Sequence, residues 1–363
     1  MHATSPSRTT LITGFPGFIG ARLIGRLLED DPELSVVALV EPRMADRART
    51  AAAGISPRIT VQPGDITDPL LGLPADRHAE LAATVTGVMH LAAIYDLAVP
   101  MALAEAVNVH GTQHIVDFCR ACERLERHDY VSTAYVAGLR SGRVFESELA
   151  AGQTFKNHYE STKFAAEVIV RASMDEIPTA IYRPAIVVGD SRTGETQKFD
   201  GPYYILRFLE RSLRRPGPLL QIASEEASFN VVPVDFVVEA MAAASRDERA
   251  LGETLHLVDP EPVAAAELMR LMAQAYAGRT PTLRLPPGLV DKTVANRHLR
   301  RFLAADTPRE SLIYLNHPVS FDTARATELL EPHGLRCPRF PEYVTTLVDF
   351  FRRHEDDPSF VPH

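Results

Sequence analysis

The chain has 363 residues, of which 45% are apolar and 23% charged, so it is long enough and apolar enough to bury a large core. These fractions exclude wholesale disorder and fibrous architecture. Lysine and arginine number 38 against 47 acidic residues, which gives a net charge of −9 and argues against a nucleic-acid-binding protein.

Targeting and redox signals are weak throughout the chain. Residues 1–10 are polar, and they lack the apolar stretch of a secretory signal. No run of about 18 apolar residues occurs that could span a membrane. The chain has three cysteines, too few for a disulfide framework, which is typical of a reducing compartment. We therefore expect a cytoplasmic protein without a membrane span.

The first half of the chain alternates short apolar runs with longer segments of helical period. We predict strands at residues 9–13, 34–40, 59–61 and 88–91, a fifth strand beginning at residue 130, and helices at residues 18–29 and 107–125. This alternation is typical of an α/β protein, a Rossmann-type doubly wound parallel sheet with helices on both faces.

The alternation of strand-like runs and helical segments ends after Gly189. Residues 190–228 are rich in glycine, proline, arginine and aromatic residues, and a strand at 229–234 and a helix at 235–245 follow. From residue 260 onward prolines are dense, and we predict only short helices there. These patterns predict a dinucleotide-binding domain at residues 1–189 plus about 229–258, and a smaller, partly discontinuous substrate lobe at about 190–228 plus 259–363.

A glycine-bearing turn joins the first strand to the first helix. Gly14 allows a sharp turn, Gly17 allows the backbone to approach a pyrophosphate, and Gly20 allows close packing of helix on strand. The helix N-terminus then offers free amide donors to phosphate groups. We predict that the cofactor contacts the residues of this turn, Gly14, Phe15, Pro16, Gly17, Phe18, Ile19 and Gly20.

The end of the second strand bears on the choice between NAD(H) and NADP(H). Glu41 is placed to accept hydrogen bonds from the adenosine ribose, which favours NAD(H). Arg43 follows closely and could bind a 2′-phosphate, as could Arg22 or Arg47. Asp65 is placed either to bind the adenine amino group or to cap a turn. The sequence leaves the phosphorylation state of the cofactor open.

A second group of residues has the pattern of a proton-transfer site. Tyr159 and Lys163 are four apart at the start of an apolar-periodic helix and so share one helical face. A lysine ammonium near a phenol lowers the phenol's pKa toward working pH, which makes it a usable proton donor. Thr133 follows the fifth strand, at the end of the sheet where ligands bind, and can orient a substrate carbonyl.

With these residues the chain resembles the extended short-chain dehydrogenases/reductases. Some segments also resemble the branch that contains fatty acyl-CoA reductases and the thioester-reductase domains of carboxylic acid reductases and peptide synthetases. The resemblance rests on these segments: Thr13-Gly14-Phe15-Pro16-Gly17-Phe18, Gly64-Asp65, His90-Leu91-Ala92-Ala93, Asn108-Val109-x-Gly111-Thr112, Val131 to Gly138, Tyr159/Lys163 and Tyr182 to Gly194.

The resemblance implies a role for each matching residue. Thr133 is the substrate-orienting hydroxyl, Tyr159 the acid/base, and Lys163 the partner that also holds the nicotinamide ribose. Glu41 departs from this branch, which usually has a basic residue there, and so weakens the expected NADPH preference. The resemblance also implies a possible homodimer, and it adds further cofactor-binding residues: Ile66, Ala92 and Pro184.

The leading functional prediction is hydride transfer from a reduced nicotinamide to a carbonyl, above all an acyl thioester on coenzyme A or a carrier. Two alternatives stay open: a ketone or hydroxysteroid dehydrogenase or nucleotide-sugar epimerase with the same residues, and a non-catalytic sensor of the dinucleotide. No metal site is expected, because the histidines lack ligand spacing on one helix face. Cys119 and Cys122 are expected to be structural, and the aromatic segment 199–204 to pack the lobe or to line a channel.

Overall fold

The computed structural model describes residues 8–95, 99–214, 217–284 and 318–361. The strands are β1 Arg8–Thr13, β2 Leu34–Val40, β3 Ile59–Pro63, β4 Gly87–His90, β5 Arg127–Val131, β6 Gly142–Val144, β7 Thr179–Pro184, β8 Ile186–Val188, β9 Leu220–Gln221, β10 Val231–Pro233, β11 Thr254–Leu257, β12 Leu283–Arg284 and β13 Val319–Phe321. The α-helices are α1 Phe18–Asp30, α2 Ala45–Ile55, α3 Ala75–Thr84, α4 Met101–Ala104, α5 Gly111–Ala121, α6 His158–Ala172, α7 Tyr203–Leu213, α8 Val234–Ala244, α9 Ala265–Ala277, α10 Ala324–Leu330 and α11 Phe340–His354.

Seven strands form one parallel sheet in the order β11-β7-β5-β4-β1-β2-β3. The strand order reverses at β1, so the turn after β1 and the loop after β4 lie side by side at the carboxyl end of the sheet, where ligands of such sheets bind. The predicted α/β fold with a doubly wound parallel sheet is confirmed.

Both faces of the sheet are covered, because successive side chains of a strand point to opposite faces. Leu11 belongs to the apolar core on the face covered by α3, α5 and α6, whereas Ile12 belongs to the core that contains α1, α2 and α8. The same alternation runs along β2, where Val36 and Val37 belong to different cores. Near-continuous apolar strands are therefore what this fold requires.

The second half of the chain adds smaller parallel pairs to this framework, β8 with β10, β9 with β12 and β6 with β13. The prediction of only short helices after residue 260 is wrong: α9 has 13 residues and α11 has 15. Proline is compatible with the first turn of a helix, and Pro341 lies in the first turn of α11. Residues 285–317 of the predicted lobe lie outside the described residues.

The division of the chain into a cofactor domain and a substrate lobe stays a prediction. One continuous apolar core contains residues of both parts, from Leu23 of α1 through Val237 of α8 to Phe351 of α11.

The predicted helix 107–125 is helical as far as Ala121, where α5 ends four residues before the predicted end. Its start is π-helical over residues Glu105–His110, between α4 and α5. The side chain of Asn108 in this turn bonds outside its own helix, to the Ile94 backbone and the Thr162 hydroxyl. Cys122 is the C-cap of α5 rather than an interior helical residue, and burial raises the pKa of both the Cys119 and Cys122 thiols.

Within the described parts of the chain, no helix has both the length and the apolar character needed to cross a bilayer. The same residues contain no group of three or more histidine, cysteine or acidic side chains that could hold a metal ion.

Candidate active site

The turn after β1 is shaped by its glycines. Gly14 has φ +88°, and its carbonyl oxygen accepts a hydrogen bond of 2.9 Å from the Gly17 amide. A Cβ atom on Gly17 or on Gly20 would lie 2.7 Å from the Gly14 oxygen, a distance that side chains do not tolerate. A side chain at any of the three positions would therefore be strained: the sharp turn at Gly14 is confirmed, whereas the approach of a pyrophosphate to Gly17 stays a prediction.

The N-terminus of α1 is open to an anion. No side chain caps Gly17, and no acidic residue lies in the first turn of the helix. The first amides of α1 therefore keep their donors and their positive dipole end for a ligand. This arrangement fits the pyrophosphate of a dinucleotide.

The apolar side chains of the turn serve packing. Phe15 is buried in the core, and Phe18 and Ile19 pack against it. Pro16 is half-buried beside them. A ligand on the helix N-terminus would therefore meet mainly backbone in this segment.

The turn is tied to the loop after β4 by a chain of hydrogen bonds that the sequence reasoning did not foresee. The Thr13 hydroxyl accepts from the amides of Leu91 and Ala92 at 3.1 Å and lies 2.8 Å from His90 Nδ1. His90 Nε2 lies 3.0 Å from the Thr112 hydroxyl. Because Thr13 uses the Ala92 amide, the predicted cofactor residue Ala92 has its backbone donor engaged. Burial, followed by the Lys163 charge, lowers the pKa of His90 well below its usual value, so the ring is neutral.

The acidic residues predicted to bind the adenosine part have local partners. Glu41 follows β2, and its carboxylate contacts Arg43 Nε at 2.5 Å. Asp65 Oδ1 accepts hydrogen bonds of 2.8 Å from both the amide and the hydroxyl of Thr67, so this carboxylate caps its own turn. The half-buried Ile66 packs against the core that contains α5. Both acids lie at the carboxyl ends of β2 and β3, where the prediction places the ribose and adenine.

Thr133 and Tyr159 are brought together across two elements. Thr133 directly follows β5 and caps the turn Ala134–Ala137, with its hydroxyl accepting from the Tyr135 amide at 3.3 Å and donating to the Pro184 carbonyl at 3.4 Å. The Thr133 and Tyr159 hydroxyls share a hydrogen bond, which lowers the pKa of the phenol. Burial outweighs this effect and raises the pKa of Tyr159 to about 12.

Lys163 lies one turn after Tyr159 in α6 and is 2% exposed. Its ammonium donates hydrogen bonds of 2.8 Å to the Tyr130 hydroxyl and to the Val131 carbonyl. Burial lowers its pKa to about 7. The sequence predicts that the lysine lowers the pKa of the Tyr159 phenol; in the structure that pKa is raised. The reason is that Lys163 bonds to β5 and does not offset the burial of the phenol.

A buried carboxylate that the sequence reasoning missed links these elements. Glu167, one turn after Lys163, accepts a hydrogen bond of 2.6 Å from the Ser132 hydroxyl. Arg183 of β7 donates to both oxygens of this carboxylate, at 3.0 and 2.6 Å. The sequence contained a signal for this carboxylate, since a glutamate four residues after Lys163 lies on the same face of the helix and, once buried, needs a partner for its charge. The residue next to Thr133 is thereby tied to the helix of Tyr159.

Asn108 holds the loop after β4 in place through its side-chain amide. Its amide group exchanges hydrogen bonds with the Ile94 backbone at 2.8 and 3.1 Å. It also donates to the Thr162 hydroxyl of α6 at 3.0 Å. The loop after β4 is thereby linked to α6.

The aromatic segment 199–204 packs the lobe. Phe199 and Tyr203 are each 1% exposed, and their ring centroids lie 5.2 Å apart. Phe199 also lies 4.8 Å from both Phe351 and Phe360. The segment was expected either to pack the lobe or to line a channel, and the structure shows that Phe199 and Tyr203 pack the lobe.

The comparisons with known proteins agree with the fold and the motifs. Residues 12–241 match the NAD-binding family described as Male sterility protein. The chain is 28% identical to the non-canonical nonribosomal peptide synthetase FrzA of Cladobotryum sp, over 93% of this chain and 35% of that protein. It is 25% identical to the fatty acyl-CoA reductase wat of Drosophila melanogaster, over 65% of this chain and 53% of that protein.

A solved structure, the terminal R domain from the myxalamid PKS-NRPS biosynthetic pathway, superimposes with a TM-score of 0.82 at 26% identity. The superposition covers 99% of this chain and 94% of that domain. The chain thus spans about a third of the peptide synthetase relative but nearly the whole of the R domain. The glycine turn, the parallel sheet and these matches together show that the chain belongs to the Male sterility protein family of NAD-binding proteins, within the extended short-chain dehydrogenases/reductases.

Proposed function

We propose that this protein is a nicotinamide-dependent reductase of acyl thioesters, with the substrate held on coenzyme A or on a carrier protein. The observation that carries the proposal is the hydrogen-bonded pair of hydroxyls, Thr133 and Tyr159, one helical turn from the buried Lys163. This pair lies at the carboxyl end of the sheet, as does the anion-binding turn after β1.

A bound reduced nicotinamide would supply the hydride. The Tyr159 hydroxyl is a donor for the carbonyl oxygen, whose negative charge grows as the carbon is reduced. The Thr133 hydroxyl becomes a second donor when its proton turns from the Pro184 carbonyl to the substrate. Tyr159 then gives its proton to that oxygen, since a phenol with a raised pKa is protonated at neutral pH. For a thioester the product of this step is a hemithioacetal, which loses thiol to give an aldehyde. A second hydride would yield an alcohol.

Lys163 serves the site through its charge. The ammonium is held at the end of β5 by Tyr130 and Val131. Glu167, one turn further along α6, raises the pKa of the lysine and opposes the effect of burial. We propose that this ammonium binds the nicotinamide ribose.

The thioester is proposed over a simple ketone because the relatives include a peptide synthetase, a fatty acyl-CoA reductase and the R domain. The two substrate classes differ in whether a thiol leaves. The test is an assay that follows oxidation of the reduced cofactor and free thiol together, across panels of acyl-CoA, carrier-bound acyl and ketone substrates. We expect one thiol per aldehyde formed. Cofactor oxidation with ketones and without release of thiol would refute the thioester proposal.

We propose that Glu41 faces the adenosine ribose and disfavours NADP(H). Glu41→Arg should then raise the ratio of kcat/KM for NADPH to that for NADH by roughly tenfold, about 1.4 kcal/mol, because a guanidinium replaces a carboxylate beside the 2′-phosphate. Steady-state kinetics with both cofactors measure this ratio. Glu29→Arg makes the same change of charge on the exposed C-terminal part of α1 and should leave the ratio unchanged. An unchanged ratio in Glu41→Arg would show that Glu41 points elsewhere.

A further inference from the structure

A buried ion pair flanks Tyr159 in the chain. Lys156 and Glu160 have side chains only 1% and 0% exposed, and the ammonium lies 3.2 Å from Glu160 Oε1. Glu160 Oε2 accepts a hydrogen bond of 3.0 Å from the backbone amide of Lys156. Removing two charges from water costs free energy, so a gain in stability alone does not account for the presence of this buried pair.

The pair joins the two elements that carry the site hydroxyls. Lys156 Nζ donates a hydrogen bond of 2.8 Å to the carbonyl of Gly138. Gly138 is the C-cap of the turn whose N-cap is Thr133. Glu160 belongs to the first turn of α6, directly after Tyr159, and its amide donates at 2.9 Å to the Asn157 side chain that caps this helix.

The contact between the turn and the segment before α6 is close. Gly138 has φ +60°, and a Cβ atom there would lie 2.2 Å from the Thr154 carbonyl oxygen. The next residue of the turn, Leu139, donates from its amide to that same oxygen at 2.8 Å. A change in the Lys156 contact would therefore move the turn relative to the start of the helix.

We propose that Lys156 and Glu160 are positioning residues that hold the Thr133 and Tyr159 hydroxyls in hydrogen-bonding contact. The proposal rests on the proposed function, in which both hydroxyls bind the carbonyl oxygen. Lys156 fixes the far end of the turn that Thr133 begins, and Glu160 fixes the helical turn that carries Tyr159.

The charges around Tyr159 provide a second readout. Glu160 raises the pKa of the phenol and Thr133 lowers it, after burial as the largest cause. Other ionisable groups near the site include Lys156 before the helix, Lys163 and Glu167 in α6, Tyr130 in β5, Tyr135 in the turn and His90 after β4. The contact with Thr133 thus has its own effect on the pKa of Tyr159, separate from the charge of Glu160.

The first test is the double variant Lys156→Met/Glu160→Met, which replaces both charges with apolar side chains of similar length, so that neither is left buried without a partner. We expect kcat for the thioester substrate to fall by roughly 10- to 100-fold with KM little changed, the usual effect of misplaced catalytic groups. A kcat within about twofold of the wild type would overturn the proposal, whatever happens to the melting temperature.

The matched control is Arg127→Met/Asp129→Leu. It removes another buried ion pair, at the start of β5, where Arg127 Nε lies 2.8 Å from Asp129 Oδ1. Within the described residues, the hydrogen bonds of Arg127 and Asp129 go to partners other than Thr133 and Tyr159. It should change the melting temperature and leave kcat within about twofold.

The second test is a thermodynamic cycle on the ultraviolet titration of the phenol, taken as the difference from Tyr159→Phe. Thr133→Val removes the hydroxyl that lowers the pKa of Tyr159, so it should raise that pKa in the wild-type background. In the Lys156→Met/Glu160→Met background, where we expect the two hydroxyls to be apart, Thr133→Val should leave the pKa nearly unchanged. The titration needs no turnover, so it tests the positioning pair even if no thioester is reduced. An equal rise of the pKa in both backgrounds would overturn the proposal.

Discussion

At the scale of single residues, burial determines the charge states of the candidate site. The Lys163 ammonium has lost most of its contact with water, and its pKa falls to about 7 although Glu167 opposes the shift. The Tyr159 phenol responds in the opposite direction, with a pKa raised to about 12, because its ionised form is the charged one. At neutral pH the phenol is therefore protonated, as the proposed proton donation to the substrate requires.

The role of this phenol can be tested directly. Tyr159→Phe removes the hydroxyl and keeps the ring, so turnover should fall by roughly 10²–10⁴-fold, the usual contribution of a positioned acid or base. Steady-state kinetics give this value, and titration of the protein with the cofactor should give an affinity close to that of the wild type. Turnover equal to that of the wild type would contradict the assignment of Tyr159.

At the scale of elements, the N-terminus of α1 and the turn before it form the proposed phosphate-binding site. Gly17→Ala would place a Cβ atom 2.7 Å from the Gly14 carbonyl oxygen, and the turn would have to open. The dissociation constant of the cofactor should rise by roughly tenfold or more, since about 1.4 kcal/mol is tenfold. Isothermal titration calorimetry measures this change.

The same helix offers a control for the glycine substitution. A Cβ on Gly25 would meet only Ile55, at 3.9 Å, so Gly25→Ala has room and removes a flexible residue from the interior of the helix. It should stabilise the protein by about 0.5–1 kcal/mol and leave cofactor affinity unchanged. Equal cofactor affinity in the two variants would mean that the turn does not bind the phosphates.

At the scale of the whole molecule, an aromatic cluster anchors the second half of the chain. The ring of Phe199 packs against Tyr203, Phe351 and Phe360, with centroids 4.8 to 5.2 Å away. Phe199→Ala should lower the free energy of unfolding by about 3–5 kcal/mol, as measured by chemical denaturation. Phe145→Ala removes a ring that is 46% exposed. This control should change the free energy of unfolding by no more than about 0.5 kcal/mol. Similar losses in both variants would contradict this account.

Stability should also depend on pH through His128. This fully buried histidine of β5 has its pKa lowered by burial from 6.5 to about 4, and its Nε2 has no hydrogen-bond partner in the structure. Below pH 6.5 the unfolded chain therefore binds a proton that the folded protein does not, so stability falls as pH falls.

The measurement compares the wild type with His128→Phe from pH 7 to pH 5, by chemical denaturation. The wild type should lose roughly 2 kcal/mol more than the variant over this range, because only the wild type has this histidine. If the free energy of unfolding fell equally with pH in both proteins, His128 would not have the lowered pKa in the folded state.

Local patterns of apolar and polar residues in the sequence were enough to predict the fold. Strand–helix alternation gave the parallel sheet, and β2 has the predicted bounds, because a strand covered on both faces is a continuous apolar run. The predicted helix 107–125 differs from the structure at its end, because α5 stops at Ala121. Its π-helical start carries Asn108, whose partners Ile94 and Thr162 are distant in the sequence and were not predicted. A homodimer and a cytoplasmic location stay predictions.

The linear chain determines which chemical groups are present and in what periodicity: the three glycines, the tyrosine and lysine four apart, and the strand that ends before Thr133. These are local properties of a helix or a turn, so spacing alone reveals them. The buried partners are different, because they come from segments far apart in sequence. Glu167 meets Ser132 and Arg183, and Lys156 meets Gly138, only after α6 has packed on the sheet. Packing also excludes water, and this desolvation sets the pKa values of Tyr159 and Lys163.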